Sequence, residues 1–452
     1  MSWLRRYRLH IALMVVGLAV FGVTAGKRLA KQSTDPHFVY LADAWLHGRL
    51  AIEPPPERGD DWAKVETVEF EDGTQARGRK LKTRPNFRVA GGGEIPKNKI
   101  AESLGTTHYV SFPPFPAVLM LPQAIIHGRI ANDVFMTVLI AALVLPLLFT
   151  VLRRLHHFGL SQRSVREDLW LVACLGFGTV FYFSAVQGRV WYMAHVVSVA
   201  LCLAYVWCSI EARHPILAGL CLGLATMTRT PMALMFPLFL FEAWRICGGR
   251  DGMRDAVRRG LMFAAPILVI AIVAVVHNVA RFDEPLEFGH SYLAVRQQSN
   301  IETIGMFSHR YLARNLAVGF TLLPELTAAK PFISINGHGL AMWFTTPVLF
   351  LLLWPKLKGP LHRPLWITIA LVAIPTLFYQ NSGWLQFGYR FSLDYMVLLI
   401  VLLAVGGRPL TKVAKGLIIA GIVINLFGAV TFARYNQFYK SDTANYNYVV
   451  KH

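Results

Sequence analysis

Residues 134–152 read VFMTVLIAALVLPLLFTVL, an apolar run that ends at the basic residues Arg153 and Arg154. About 20 apolar residues cross the hydrocarbon core of a bilayer, so this stretch predicts a membrane-spanning helix. Similar runs occupy residues 11–25 and 416–432. The chain of 452 residues is 54% hydrophobic and has a mean hydropathy of +0.44. This composition indicates an integral membrane protein.

Apolar stretches of this kind recur along the whole chain and predict one all-α polytopic domain over residues 1–452, a bundle of about eleven transmembrane helices. The predicted spans are residues 9–25, 131–152, 169–186, 190–210, 215–229, 232–247, 261–280, 339–355, 365–380, 391–406 and 413–433. The first span is followed by Lys27, Arg28 and Lys31, where a signal peptide would need a cleavable site. We therefore expect an uncleaved signal-anchor helix.

Basic residues are concentrated in alternate connections between the predicted spans, as in Arg153 and Arg154 or in Arg254, Arg258 and Arg259. By the positive-inside rule, these connections and the N-terminus face the cytoplasm. Two long polar segments, residues 27–130 and 281–338, then face outward. The net charge of +19 reports this orientation and predicts no nucleic-acid partner.

The first outer segment opens with TDPHFVYLADAWLHGRL at residues 34–50. Phe38, Leu41 and Trp45 share one helical face, which predicts an amphipathic helix on the membrane surface. Asp35 before Pro36 is typical of a helix N-cap, and a capping carboxylate is also one that is held in place for chemistry. Both interpretations of Asp35 stay open at this point.

Residues 50–108 form an insert in this outer segment. Alternating apolar and polar residues around Asp72 and Gly73 predict a small β-hairpin, and AGGGEIPKNK at residues 90–99 predicts a flexible loop. The insert is either a lid over a site or a solvated decoration. The proline-rich stretch at residues 112–127 is short for a span, so we expect an interfacial or re-entrant helix.

Several motifs in order carry a family resemblance. They are YLADAWLHGRL (40–50), THYVSFPPFPAVLMLP (107–122), LAGLCLGLATMTRTPMALMFP (217–237), HNVARFDEPLEFGHSY (277–292) and QFGYRFSLDYM (386–396). Together they resemble the GT-C superfamily of polyprenyl-phosphate-sugar-dependent glycosyltransferases, and look closest to bacterial mannosyltransferase-like or ArnT-like members. The resemblance implies a GT-C-like bundle in a bacterial cytoplasmic (inner) membrane, with an extracytoplasmic active site.

The resemblance also implies the reaction. A hexosyl or pentosyl unit would pass from a polyprenyl-phosphate donor to a lipid, glycan or protein acceptor, with the first-loop aspartate, here Asp35, as general base. Many relatives carry paired acids at that place, whereas this chain has Asp35-Pro36-His37. That departure leaves a divalent cation conceivable but not expected, and we predict no cofactor and no metal ligands. Asp43 is either a second acid or a solvated side chain.

A lipid phosphate that leaves needs cationic partners. Arg229 and Arg390 lie at outer span ends against the charge bias, Arg390 beside Tyr389; snorkelling, or for Arg390 an i,i+4 pair with Asp394, explains them equally well. Further candidates for binding substrate are Arg296, Arg310, Tyr389, His37 and Asp43. For the two arginines, contact with lipid headgroups is the alternative.

Two other functions fit the same pattern. A non-enzymatic lipid or glycan transporter or flippase is the first, although the mid-span residues are almost wholly apolar and no internal repeat is evident. An O-antigen ligase or polymerase with a diphosphate-linked donor is the second. The five cysteines lack metal-ligand or disulfide spacing, and His37, His108 and His195 show no zinc-binding spacing.

Overall fold

The computed structural model describes residues 2–293, 295 and 297–440, and most of them are helical. The α-helices are α1 Ser2–Ala25, α2 His37–Leu46, α3 Phe115–His127, α4 Asp133–His157, α5 Val165–Phe177, α6 Phe181–Ala185, α7 Val190–Ser209, α8 Pro215–Thr226, α9 Phe236–Ile246, α10 Met253–Phe282, α11 Gln298–Thr303, α12 Leu312–Phe320, α13 Met342–Thr345, α14 His362–Phe378, α15 Leu393–Val405 and α16 Lys412–Thr431. The strands are β1 Trp62–Phe70, β2 Gln75–Lys80, β3 Asn86–Val89, β4 Glu94–Pro96, β5 Ile100–Val110, β6 Glu325–Leu326, β7 Ile333–Asn336 and β8 Tyr439–Lys440.

The number of full-length spans is lower than the sequence predicts. Within the described residues, five helices are long and apolar enough to cross a membrane: Tyr7–Ala30, Asp133–His157, Val190–Ala212, Met253–Phe282 and Lys412–Thr431. Each of the other predicted spans contains a shorter helix. The stretch 339–355, for example, holds the four-residue α13 and a 3-10 stretch. Averaged hydropathy joins a short helix to the apolar residues beside it, and this explains the count of eleven.

Small residues allow the helices of the bundle to approach one another closely. A side chain at Gly219 of α8 would place its Cβ only 1.9 Å from the carbonyl oxygen of Phe263 in α10. One helical turn later, a Cβ at Gly223 would lie 2.5 Å from Ile270. This spacing of glycines brings backbones together in membrane helix pairs. The opposite face of α10 is exposed and apolar, with Leu268 and Val276 among its exposed residues.

The insert is a five-stranded antiparallel sheet, larger than the hairpin that the sequence predicts. The order of its strands is β4-β3-β2-β1-β5, and the predicted β1–β2 hairpin around Asp72 and Gly73 lies within it. The predicted flexible loop at residues 90–99 instead forms the β3–β4 turn and strand β4. Its glycines at 91–93 take positive φ angles, so they shape a turn. With a second small sheet of β6, β7 and β8, the fold is not purely α-helical.

The helix α2 is buried on both faces rather than lying open on a membrane surface. His37 and Tyr40 belong to its predicted polar face, yet the Trp62 ring of the insert stacks on both of them. The hydrophobic side packs against α3, the helix formed by most of the proline-rich stretch that is predicted to be interfacial. Exposed Ile125 and Ile126 give α3 an apolar outer face, as an interfacial helix requires.

Candidate active site

A cavity of about 460 Å³ lies where the ends of α7, α8, α14 and α15 meet the two outer segments. The polar residues that line it are Asp61, Thr228, Arg229, Thr230, Glu287, His290, Gln297, Thr376, Tyr379, Gln380, Asn381 and Arg390. Rings and aliphatic side chains complete the wall, including Phe112, Trp191, Leu286, Phe288, Leu293, Phe307 and Phe391. A largely apolar cavity with a few convergent polar groups is the usual form of a small-molecule site.

Arg229 is held in the cavity wall by a buried carboxylate. Its Nε and Nη2 donate to the two oxygens of Asp394 at 2.5 and 2.8 Å, a bidentate pair. Asp394 is fully buried, and His195 of α7 lies 3.5 Å from the same carboxylate. The predicted pair of Arg390 with Asp394 does not form, because Arg229 occupies that carboxylate. Arg229 is therefore fixed in position but largely neutralised.

Arg390 is the less neutralised of the two cations. Its Nη1 donates to the backbone carbonyls of Gly383 and Leu385, and its guanidinium lies 5.3 Å from the centre of the Tyr192 ring. Among the described residues, no carboxylate forms an ion pair with Arg390, and its Nε has no hydrogen-bond partner. A buried, cavity-lining guanidinium with unused donors is suited to bind an anion.

Asp61 is a carboxylate that faces the same cavity. Its Oδ2 accepts a hydrogen bond of 2.9 Å from the indole of Trp191, and its backbone carbonyl accepts one of 2.7 Å from Ser111. Burial raises the pKa of Asp61 to about 6, and the nearby carboxylates of Asp60 and Asp35 add to the effect. The φ angle of 65° places Asp61 in the left-handed region, which aspartate tolerates better than most residues.

Asp35 lies behind Asp61 and does not line the cavity. Its carboxylate accepts hydrogen bonds from the backbone N–H of Asp60 at 3.2 Å and from Thr34 at 2.6 Å, and pairs with Arg189 at 3.5 Å. The interpretation as a helix cap is wrong, since α2 begins at His37 with Pro36 in the N-cap position and no side-chain cap. Asp35 instead fixes the chain that leads into Asp61.

The other predicted substrate-binding residues lie outside the cavity lining. His37 stacks on Trp62 at 3.8 Å, and burial lowers its pKa to about 4, so its ring is neutral at pH 7. Asp43 pairs with His47 at the far end of α2, at 3.7 Å. Tyr389 contacts the cavity residue Thr376 through a hydrogen bond of 3.3 Å.

Of the two basic candidates in the second outer segment, Arg310 does not line the cavity. Arg310 is exposed in the 3-10 stretch His309–Tyr311. Arg296 lies outside the described residues. The buried Arg314 instead donates to the carbonyl of Gln380 at 2.7 Å and so holds the cavity-lining turn after α14.

The structure adds cavity residues that the sequence interpretation missed. The sequence contains a signal for Asp61, because the adjacent acids Asp60 and Asp61 come just before the first predicted strand. The hydrogen bond from the backbone N–H of Asp60 to Asp35 brings this acidic pair next to Asp35, from which it is 25 residues away in the chain. Glu287 and His290 belong to the motif at residues 277–292, but only the fold distinguishes them from their neighbours. Within the part of the chain that the structure describes, no three His, Cys, Asp or Glu side chains are grouped to hold a metal ion.

No protein-family model and no curated protein matches this chain. Two crystal structures of the Archaeoglobus fulgidus oligosaccharyltransferase are similar to it in part. The apo form gives a TM-score of 0.42 at 12% identity, and the form tethered with an acceptor peptide containing the NVT sequon gives 0.44 at 11%. Each match covers 98% of this chain and 57% or 56% of the archaeal chain, so this chain spans little more than half of that length. These low scores do not define a family for the chain.

Proposed function

We propose that the protein is a membrane glycosyltransferase of GT-C type. It transfers a sugar from a polyprenyl-phosphate donor to a lipid, glycan or protein acceptor on the extracytoplasmic face of a bacterial inner membrane. The observation that carries the proposal is that Asp61, with a pKa of about 6, and Arg390, without a carboxylate partner among the described residues, line one cavity. A base and an anion site on one substrate are what glycosyl transfer from a lipid phosphate requires.

In this reaction the acceptor hydroxyl attacks the anomeric carbon of the donor directly. Asp61 takes the hydroxyl proton as the new carbon–oxygen bond forms, and the bond from the anomeric carbon to the phosphate oxygen breaks. The phosphate leaves with its bonding electron pair. Arg390, supported by Arg229, stabilises that negative charge. A single displacement of this kind inverts the anomeric centre.

Asp35 acts on the reaction through Asp61. Its Oδ1 holds the backbone N–H of Asp60, the residue before Asp61, and its own N–H donates to the hydroxyl of Ser33 at 3.3 Å. The carboxylate of Asp133 in turn accepts the Ser33 N–H at 2.8 Å. This chain of contacts ties the loop before β1 to the start of α4. Asp35 is therefore a positioning residue in the proposed mechanism.

The test compares transfer of labelled sugar from a polyprenyl-phosphate donor to membrane lipid extract by purified wild type, Asp61→Asn and Asp35→Asn. We expect Asp61→Asn to lose about 10²–10⁴ in rate, the usual contribution of a general base. Asp35→Asn should lose less, because its amide oxygen still accepts from Asp60. Asp43→Asn, a change of the same kind in helix α2 just after Asp35 but outside the cavity lining, is the matched control.

Full activity of folded Asp61→Asn would overturn the assignment of the base. A wild type that transfers no sugar but moves the donor across liposomes would overturn the enzyme and favour the transporter.

A further inference from the structure

Glu287 is a second carboxylate in the cavity, and it comes from the opposite outer segment to Asp61. It lies in residues 284–293, which follow α10 and supply part of the cavity lining, and we call this stretch the roof. Glu287 is 9% exposed. Its Oε1 accepts hydrogen bonds from the backbone N–H groups of Gly289 at 2.5 Å and Ser291 at 3.3 Å. The turn therefore holds this carboxylate in one orientation, and its second oxygen is not used by these bonds.

Basic side chains do not neutralise Glu287 directly. Among the described residues, none forms an ion pair with it, in contrast to Asp394 beneath Arg229. His290 lies three residues away in the same wall, but burial lowers its pKa, so its imidazole is neutral at pH 7. A fixed carboxylate that is not paired with a cation retains its capacity to accept hydrogen bonds from a ligand.

Aromatic rings line the same cavity as this carboxylate. Phe112 meets the His290 ring edge to face at a centroid distance of 6.1 Å, and Trp191 and Phe288 line the same cavity. Flat apolar rings beside a charged acceptor suit a ligand that has both C–H faces and hydroxyl groups. A sugar ring has this combination, whereas a polyprenyl chain has only the apolar part.

The cationic and the acidic residues of the cavity wall come from different parts of the chain. Arg229 and Arg390 are carried by the ends of the bundle, and Asp61 and Glu287 by the two outer segments. A phosphate is attracted to the two arginines and repelled by the two carboxylates. This repulsion leaves the sugar, and not the phosphate, as the part of a donor that Asp61 and Glu287 can contact.

We propose that Glu287 is the specificity-determining residue of a glycosyl subsite and accepts hydrogen bonds from hydroxyl groups of the transferred sugar. This inference rests on the proposed function and identifies the part of the cavity wall that recognises the sugar. Glu287 takes no part in bond making, so its effect falls on which sugar is accepted. Arg390 and Asp61 serve every donor that carries a phosphate and meets a hydroxyl acceptor.

The test measures kcat/KM for the polyprenyl-phosphate pentose or hexose that wild type uses best, and for its monodeoxy derivatives. A hydrogen bond to a charged group contributes about 1.5–3 kcal/mol, so we expect one or two derivatives to lose about 10–150-fold with wild type. Glu287→Ala should lose a similar factor on the parent sugar and show no further loss with those derivatives. Glu287→Gln, which still accepts hydrogen bonds, should lose less than Glu287→Ala.

Glu284→Ala is the matched control, since Glu284 lies three residues earlier, pairs with Arg88 at 3.7 Å and does not line the cavity. It should keep the full discrimination of wild type. If Glu287→Ala also keeps it, the subsite is overturned while the glycosyltransferase stands. If Glu287→Gln is as impaired as Glu287→Ala, the residue reads a positive charge and not hydroxyls, which also overturns the proposal. A wild type without transfer removes the proposed function itself.

Discussion

The protonation of Asp61 connects its surroundings to activity. Its carboxylate accepts a proton only when ionised, and its pKa is raised to about 6 by burial and by neighbouring acids. The reactive form is therefore present above this pH and is lost as the pH falls through it. We expect kcat/KM to fall about tenfold per pH unit below pH 6. A profile of kcat/KM between pH 4.5 and 8 measures this decline, which is the acidic limb of the profile.

Two substitutions should move that limb in opposite directions. Asp35→Asn removes a negative charge that raises the pKa of Asp61, so the limb should move to lower pH. Trp191→Phe removes a hydrogen bond that lowers this pKa, so the limb should move to higher pH. Asp43→Asn should leave it in place. Shifts of the same sign in the two variants would contradict the assignment of the limb to Asp61.

At the level of elements, the five-stranded sheet contacts the residues that flank the roof at both of its ends. Before the roof, Arg77 donates to the carbonyl of Arg281 at 2.6 Å and pairs with Asp283 at 3.3 Å. After the roof, Arg79 pairs with Glu302 at 3.2 Å, and both side chains are buried. The second oxygen of Glu302 accepts from the backbone N–H groups at 82 and 83. The insert is thus bound to the roof, which favours the lid over the solvated decoration.

Removal of one partner from this buried pair should weaken the contact between sheet and roof. Breaking a buried ion pair costs about 3–5 kcal/mol, because the remaining charge loses its partner. We expect Glu302→Ala to lower the thermal midpoint in detergent and to increase hydrogen exchange in residues 284–293. Exchange in the β1–β2 hairpin should change less, since that hairpin has its own ladder.

The exposed pair Glu325 and Lys440, 2.8 Å apart, supplies the control, since exposed pairs contribute only about 0–1 kcal/mol. Glu325→Ala should leave both the midpoint and the exchange near wild type. Equal effects of the two substitutions would mean that Glu302 does not clamp the roof.

At the scale of the whole molecule, the predicted orientation places the sheet and the cavity outside the cell. Thr74 in the β1–β2 turn and Asp251 in the α9–α10 connection are both exposed and lie on opposite sides of that prediction. We expect a membrane-impermeant maleimide to label Thr74→Cys in intact cells, and Asp251→Cys only after permeabilisation. The native cysteines are buried or partly buried, so wild type gives the background. The reverse pattern would invert the topology and move the proposed reaction to the cytoplasm.

Composition and periodicity were enough to predict a helical membrane protein and a hairpin at Asp72 and Gly73. They also indicated Arg229 and Arg390 as candidate site residues. These inferences succeed because they depend on local properties: the length of an apolar run, the alternation of a strand, or a charge at the end of a span. The same local signals overestimated the number of full-length spans, because hydropathy does not register where a short helix ends.

The identity of the carboxylate in the cavity depends on contacts between residues far apart in the chain. Asp35 and Asp61 are both acids in the same outer segment, and no local pattern tells which one faces the cavity. The fold decides it, because the β1–β5 sheet folds over α2 and buries Asp35 behind Asp61, while the roof after α10 adds Glu287. Likewise Asp394 pairs with Arg229 across the bundle and not with its helical neighbour Arg390. Local sequence patterns show which residues can do chemistry, and tertiary packing chooses among them by deciding which charges meet across the cavity.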